Sequence, residues 1–123
     1  MLVFDTFEDS EYHSEASSRL DSINKWCITA IVFHEFLWFF KGRGLQLSKA
    51  SVKLEEYLAH EKSQFAPNDS DDIRFAATRM KDYHEYNDLV ILSVARRMDI
   101  PLLSFDEGLN KMARNNAVVV FPR

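Results

Sequence analysis

Cysteine, glycine and proline are scarce in this chain, whose 123 residues include one cysteine, three glycines and three prolines. The single cysteine, Cys27, excludes an internal disulfide and a zinc site built from several cysteines, which fits a reducing cytoplasm. No apolar run approaches the roughly 18 residues that a membrane helix needs, and the N-terminal residues do not resemble a signal peptide. By length and composition we predict a single cytoplasmic domain over residues 1–123 that makes no membrane contact.

An excess of basic residues is also lacking, because 15 Lys and Arg stand against 19 Asp and Glu, for a formal net charge of −4. Proteins that bind nucleic acids need basic surface to neutralise phosphates. This balance therefore argues against broad binding of nucleic acid over the whole surface. A local basic patch remains compatible with it.

Helical and strand patterns alternate along the chain. The apolar periodicity and the capping residues predict helices over residues 11–23, 29–44, 48–63, 68–83, 86–98 and 106–115. Short apolar runs predict strands over residues 2–4, 25–29, 64–66, 99–105 and 117–121. Strands that alternate with helices favour a parallel sheet with helices on both faces. We therefore predict an α/β fold, an α/β/α sandwich around a central, mostly parallel sheet.

Three carboxylates stand out by their positions in these elements. With about 100° of turn per helical residue, Glu35 is predicted to point into the apolar face of its helix, and Asp88 to do the same in the helix 86–98. Asp106 follows an apolar strand and begins a helix, which is where open parallel sheets place ligand-binding groups. These three side chains could converge on one pocket.

Simpler interpretations stand beside this one. An aspartate before a helix is most often an N-cap, which is the more common role for Asp88 or Asp106 taken alone. An ionised Glu35 in an apolar face needs an arginine partner or a metal ion, because an unpaired buried charge costs several kcal/mol. The coincidence of three acids favours a cation site. Carboxylates without histidine or cysteine ligands suit Mg²⁺ or Mn²⁺ better than zinc.

Two segments resemble PIN-domain nucleases, and within them the VapC-type toxins of prokaryotic toxin–antitoxin pairs, especially archaeal ones. The segments are "ITAIVFHEFLWFF" and "NDLVILSVARRMDIPLLSFDEGL". The family pattern is a glutamate in an apolar helix, then an acid that begins a second helix, and a strand followed by Ser or Thr, an aromatic residue and Asp. In this sequence the pattern falls on Glu35, Asp88, Pro101, Ser104, Phe105 and Asp106.

The resemblance implies a metal-dependent ribonuclease that hydrolyses RNA phosphodiester bonds with Mg²⁺ or Mn²⁺. In it, Glu35, Asp88 and Asp106 would be the catalytic metal ligands, supported by Ser104. It also implies a VapB-like antitoxin as partner and a homodimer. Two adjacent arginines, Arg96 and Arg97, are candidates for RNA contact, although a solvated helix face explains them equally well.

The N-terminal segment "LVFDTF" leaves two interpretations open. In the family the first acid ends the first strand, and Asp5 ends the predicted strand 2–4, which makes it a fourth candidate metal ligand. Alternatively, the family's first strand and first acid lie upstream of residue 1. In that case the chain would be a truncated or catalytically impaired PIN-like protein that acts through antitoxin binding or dimerisation.

Overall fold

The computed structural model describes residues 13–23, 25–104 and 106–121, so Asp5 lies outside the described residues. The chain forms two compact units, Met1–Ala66 and Pro67–Arg123, which we describe separately. The first unit contains helix α1 (His13–Ser22), strand β1 (Trp26–Thr29), helices α2 (Ala30–Gly42) and α3 (Leu47–Ala59), and strand β2 (Ser63–Ala66). The second contains helix α4 (Ser70–Arg79), a 3₁₀ turn (Tyr83–Glu85), helix α5 (Tyr86–Met98), strand β3 (Leu102–Leu103), helix α6 (Glu107–Asn115) and strand β4 (Val120–Phe121).

Strands β1 and β2 of the first unit pair in parallel. Trp26 lies opposite Ser63, and Thr29 lies opposite Ala66. Parallel neighbours need a long crossover, and here the chain between them forms α2 and α3. The crossover packs through aromatic rings, because the Phe36 ring meets the Tyr57 ring edge-on with centroids 5.8 Å apart. The predicted strands at 25–29 and 64–66 are therefore confirmed.

Helix α2 buries a narrow aromatic stripe and exposes Glu35. Its buried residues are Phe33, Phe36 and Phe40, at the spacing that places side chains on one face. Glu35 lies about 130° around the helix from the centre of that stripe and is exposed. The prediction that Glu35 points into the apolar face is wrong. The helix is apolar on nearly all sides, so its sequence does not show which side is buried.

Helix α4 of the second unit begins with a capping box at Asp69. The Asp69 carboxylate accepts hydrogen bonds from the backbone N–H groups of Asp71 at 3.0 Å and Asp72 at 3.2 Å. In return, the Asp72 carboxylate accepts a hydrogen bond from the Asp69 N–H at 2.9 Å. These contacts satisfy N–H groups that have no partner within the helix.

Helix α5 lies at the centre of the second unit. Its buried residues Leu92 and Ala95 form a core cluster with Leu102, Ala113 and Val118 from β3, α6 and the segment before β4. The helix ends at Asp99, whose backbone adopts the left-handed conformation with φ of 53°. This residue leads the chain from α5 toward β3, and β3, α6 and the segment before β4 contribute the rest of the core cluster.

Strands β3 and β4 pair in parallel, with Leu102 opposite Val120. They are two residues each, shorter than the predicted runs of 99–105 and 117–121. The left-handed Asp99 and the following Pro101, which has no N–H to donate, delay the start of β3. The α/β class with parallel strand pairing is confirmed, and the single domain stays a prediction. Within the described residues, no helix is long and apolar enough to cross a membrane.

Candidate metal centre

Asp88 is a half-buried acid in the first turn of α5. The chain enters this helix through the 3₁₀ turn, where the Asp82 carboxylate accepts a hydrogen bond from the His84 N–H at 2.8 Å. Burial raises the pKa of Asp88 above its usual value, and the negative charges of Asp106 and Glu85 raise this pKa further. The structure therefore brings Asp88 within electrostatic reach of two other carboxylates of the same unit.

Asp106 is the N-cap of α6. One of its carboxylate oxygens, Oδ1, accepts a hydrogen bond from the Leu109 N–H at 3.1 Å. Its own N–H donates to the Ser104 hydroxyl oxygen at 2.9 Å, so Ser104 helps to hold the backbone of Asp106. The capping interpretation is thus confirmed for Asp106. A carboxylate has about four acceptor positions, and the exposed Asp106 can therefore cap the helix and still bind a cation.

Two residues that the sequence did not single out shape the turn around Asp106. A Cβ atom at Gly108 would lie 3.2 Å from Asp106 Oδ1, so the glycine leaves room for the carboxylate. Asn110 is 4% exposed, and its side-chain amide donates to the Ser104 carbonyl oxygen at 3.2 Å. Within the described part of the chain, Asn110 Oδ1 has no hydrogen-bond partner. The sequence signals for these two residues were a glycine in the first turn of α6, at position 108, and a polar residue on the buried face of that helix, at position 110.

The donor set suits a hard divalent cation. Asp88 and Asp106 offer carboxylate oxygens, and Mg²⁺ is commonly bound by one or two carboxylates together with waters and substrate phosphates. A cation between these acids would also relieve the repulsion that raises the pKa of Asp88. Over residues 13–23, 25–104 and 106–121, no group of three or more His, Cys, Asp or Glu side chains could hold a metal ion. Glu35 belongs to the first unit, and its side chain is exposed.

Arg97 has a structural role, and its proposed RNA contact is the weaker interpretation. Its guanidinium donates from Nη2 to Asp72 Oδ2 at 3.0 Å and to the Pro67 carbonyl oxygen at 2.8 Å. A third hydrogen bond, from Nε, reaches Asp72 Oδ1 at 3.3 Å. The guanidinium is therefore held against the start of α4. The pairing joins residues 25 positions apart, which the helical pattern alone does not reveal.

Asp72 is the buried member of this ion pair, with 0% of its surface exposed. Its Oδ1 also accepts a hydrogen bond from the Ser93 hydroxyl at 2.7 Å. Burial by itself raises the pKa of Asp72, but hydrogen bonds from Arg97, the Asp69 N–H and Ser93 outweigh it and lower the pKa below its usual value. Asp72 therefore stays ionised and ties α4 to the helix that carries Asp88.

Comparison with known families identifies the chain over nearly its whole length. The family model of the PIN domain matches residues 2–115. No curated protein and no solved structure matched the sequence. The match includes both acids of the candidate metal centre, and PIN domains are generally nucleases that use divalent metal ions. The chain belongs to the PIN domain family.

Proposed function

We propose that this protein is a metal-dependent endoribonuclease and the toxin of a VapBC-type toxin–antitoxin pair. The observation that carries the proposal is the electrostatic repulsion between Asp106 and the half-buried Asp88 in a chain that belongs to a nuclease family. These acids come from different elements of the second unit. A helix cap alone explains Asp106, but it does not explain a half-buried Asp88 that Asp106 and Glu85 repel.

In this proposal, Asp88 and Asp106 hold Mg²⁺ or Mn²⁺ through their carboxylate oxygens. When bound, the ion lowers the pKa of water and neutralises charge on the scissile phosphate. Asp88 is held by the first turn of α5, and Asp106 by its own helix cap and by Ser104. Glu35 is proposed as a further ligand on the family resemblance alone.

The remaining parts of the proposal follow the resemblance to VapC-type toxins. RNA is the substrate class, a VapB-like antitoxin blocks the site, and the toxin is a homodimer. A cytoplasmic location stays a prediction from the cysteine content. PIN nucleases often pair with antitoxins, which supports the partner class.

Cleavage of RNA by the purified chain tests the catalytic proposal. With Mg²⁺ or Mn²⁺, we expect cleavage by the wild type and a loss of at least about 100-fold in Asp88→Asn and in Asp106→Asn, because each removes a carboxylate that would hold the ion, and the ion stabilises the negative charge of the transition state. Asp71→Asn is the matched control, since Asp71 is an exposed acid of the same unit that pairs with Arg74. Metal-dependent cleavage that persists in Asp88→Asn would refute the site assignment. The variant Glu35→Gln tests the proposed third ligand separately.

A second candidate function is a catalytically impaired PIN-like protein that acts through antitoxin binding or dimerisation. The observation that favours it is that, within the described residues, no group of three or more His, Cys, Asp or Glu side chains could hold a metal ion. If the wild type cleaves no RNA with either metal and still forms a dimer or binds an antitoxin, this function replaces the first.

A further inference from the structure

Two arginines from different helices lie against one aromatic ring in the second unit. The guanidinium carbon of Arg79, at the end of α4, lies 3.9 Å from the centroid of the half-buried Phe75 ring. The guanidinium carbon of Arg96, in the last turn of α5, lies 5.7 Å from the same centroid. We call Phe75, Arg79 and Arg96 the arginine–phenylalanine cluster. The electron-rich faces of the ring attract both cations and hold each of them beside the ring.

Among the described residues, no carboxylate forms an ion pair with either cation of this cluster. The ion pairs found among the described residues of the unit join Arg74 to Asp71, and Arg97 to Asp69 and Asp72. Neither Arg79 nor Arg96 takes part in an ion pair within that part of the chain. Two exposed guanidinium groups at one ring repel each other, and a bound anion reduces the repulsion.

The cluster lies within reach of the candidate metal centre along one helix. Asp88 and Arg96 both belong to α5 and are eight positions apart, which is about 12 Å along the axis and about 80° around it. A few nucleotides of single-stranded RNA span such a distance. The neighbouring Arg97 is excluded from this role by its bonds to Asp72 and Pro67.

We propose that the arginine–phenylalanine cluster binds the phosphate backbone of single-stranded RNA, next to the bond that is cut. Guanidinium groups bind phosphate oxygens through paired N–H donors, and the Phe75 ring fixes where these donors lie. The assignment rests on the proposed ribonuclease function. It also places a local basic site on a chain whose formal net charge is −4, which otherwise repels RNA. Backbone contacts carry no base preference, so the cluster contributes affinity and not sequence recognition.

The test measures RNA binding without cleavage. The full chain with Asp88→Asn is the parent, and a fluorescently labelled single-stranded RNA is titrated in EDTA at salt concentrations from 50 to 200 mM. Each lost phosphate contact lowers the slope of log K against log salt by about 0.7 for a single strand. The slope of the double variant Arg79→Gln/Arg96→Gln should be smaller than the parent's by about 1.4. Its loss of affinity relative to the parent is therefore about sevenfold larger at 50 mM salt than at 200 mM.

Two further variants separate charge from folding. Arg74→Gln is the matched control, because Arg74 is an exposed arginine of α4 that already pairs with Asp71, and its salt slope should equal the parent's. Arg79→Lys/Arg96→Lys keeps the charges and should keep the slope. Equal slopes and affinities in the parent and the double Gln variant overturn the proposal, as does a parent that binds no RNA. Cleavage by the wild type with metal is read independently, so failure of this site and failure of the ribonuclease proposal are distinguishable.

Discussion

Replacing Asp72 with alanine removes the most deeply buried acid of the second unit and four hydrogen bonds at once. Its carboxylate accepts from Ser93 Oγ at 2.7 Å, from the Asp69 N–H at 2.9 Å, and from Arg97 at 3.0 and 3.3 Å. The substitution leaves the Ser93 hydroxyl, in a residue that is 7% exposed, without this acceptor. No proposed metal ligand is touched.

The cost follows from these contacts. A hydrogen bond to a charged group contributes about 1.5–3 kcal/mol, and an unsatisfied buried hydroxyl costs about 1–3 kcal/mol. The Arg97 side chain is 37% exposed, and water screens its part of the interaction, which we discount accordingly. We therefore expect Asp72→Ala to lower the free energy of unfolding by about 3 kcal/mol. In a domain of this size, that loss lowers Tm by about 10 °C.

Thermal or urea unfolding of wild type and variant at pH 7 measures this difference. Asp71→Ala is the control, since its neighbour Asp71 is 80% exposed in its side chain and should change stability by less than about 0.5 kcal/mol. The pKa of Asp72 is lower in the folded chain than in the unfolded one. Its contribution is therefore present above the unfolded pKa, about 3.9, and is lost as pH falls through the folded pKa. A variant as stable as wild type at pH 7 would refute the ion-pair reasoning.

Two further predictions concern the candidate metal centre. Asp88→Asn should stabilise the fold at pH 7, because the folded pKa of Asp88 is raised and wild-type stability therefore falls as pH rises through that pKa. The gain in Tm of the variant over the wild type should be present at pH 7 and smaller near pH 4. A variant that is less stable than the wild type at pH 7 contradicts the charge repulsion. Gly108→Ala should weaken Mn²⁺ binding about tenfold by crowding Asp106 Oδ1, with Tm unchanged or raised because alanine favours the helix. Gly42→Ala is the control, because a Cβ atom at Gly42 meets nothing within 4 Å. Equal Mn²⁺ affinities in the wild type and in both variants count against the crowding.

Local signals in the sequence predicted the helix starts and the candidate acids of the second unit. Asp69 caps α4 at the predicted helix start, and Asp106 caps α6 directly after an apolar strand. These features depend on neighbours within about four positions, which a sequence shows directly. The strands at 25–29 and 64–66 were also predicted, because each is a short segment with apolar residues that is bounded by polar residues.

The failures have a different physical cause. Helix α2 is apolar on almost every side, so periodicity could not reveal that Phe33, Phe36 and Phe40 form its buried stripe and that Glu35 is exposed. Arg97 looked free because its partner Asp72 lies 25 positions earlier, and the contact exists only once α4 and α5 pack together. Choices among equivalent faces and long-range ion pairs are decided by tertiary packing, which no local pattern encodes.

The two adjacent arginines of α5 are subject to different constraints despite their identical chemistry. A lysine at position 96 keeps the charge that the exposed cluster offers to an anion. A lysine at position 97 keeps the charge but not the planar fork, and one ammonium group cannot reproduce the three bonds that Arg97 makes to Asp72 and to the Pro67 carbonyl. Substitution by lysine should therefore be tolerated at position 96 and should be destabilising at position 97. The effect of the exchange at one of these arginines does not predict its effect at the other.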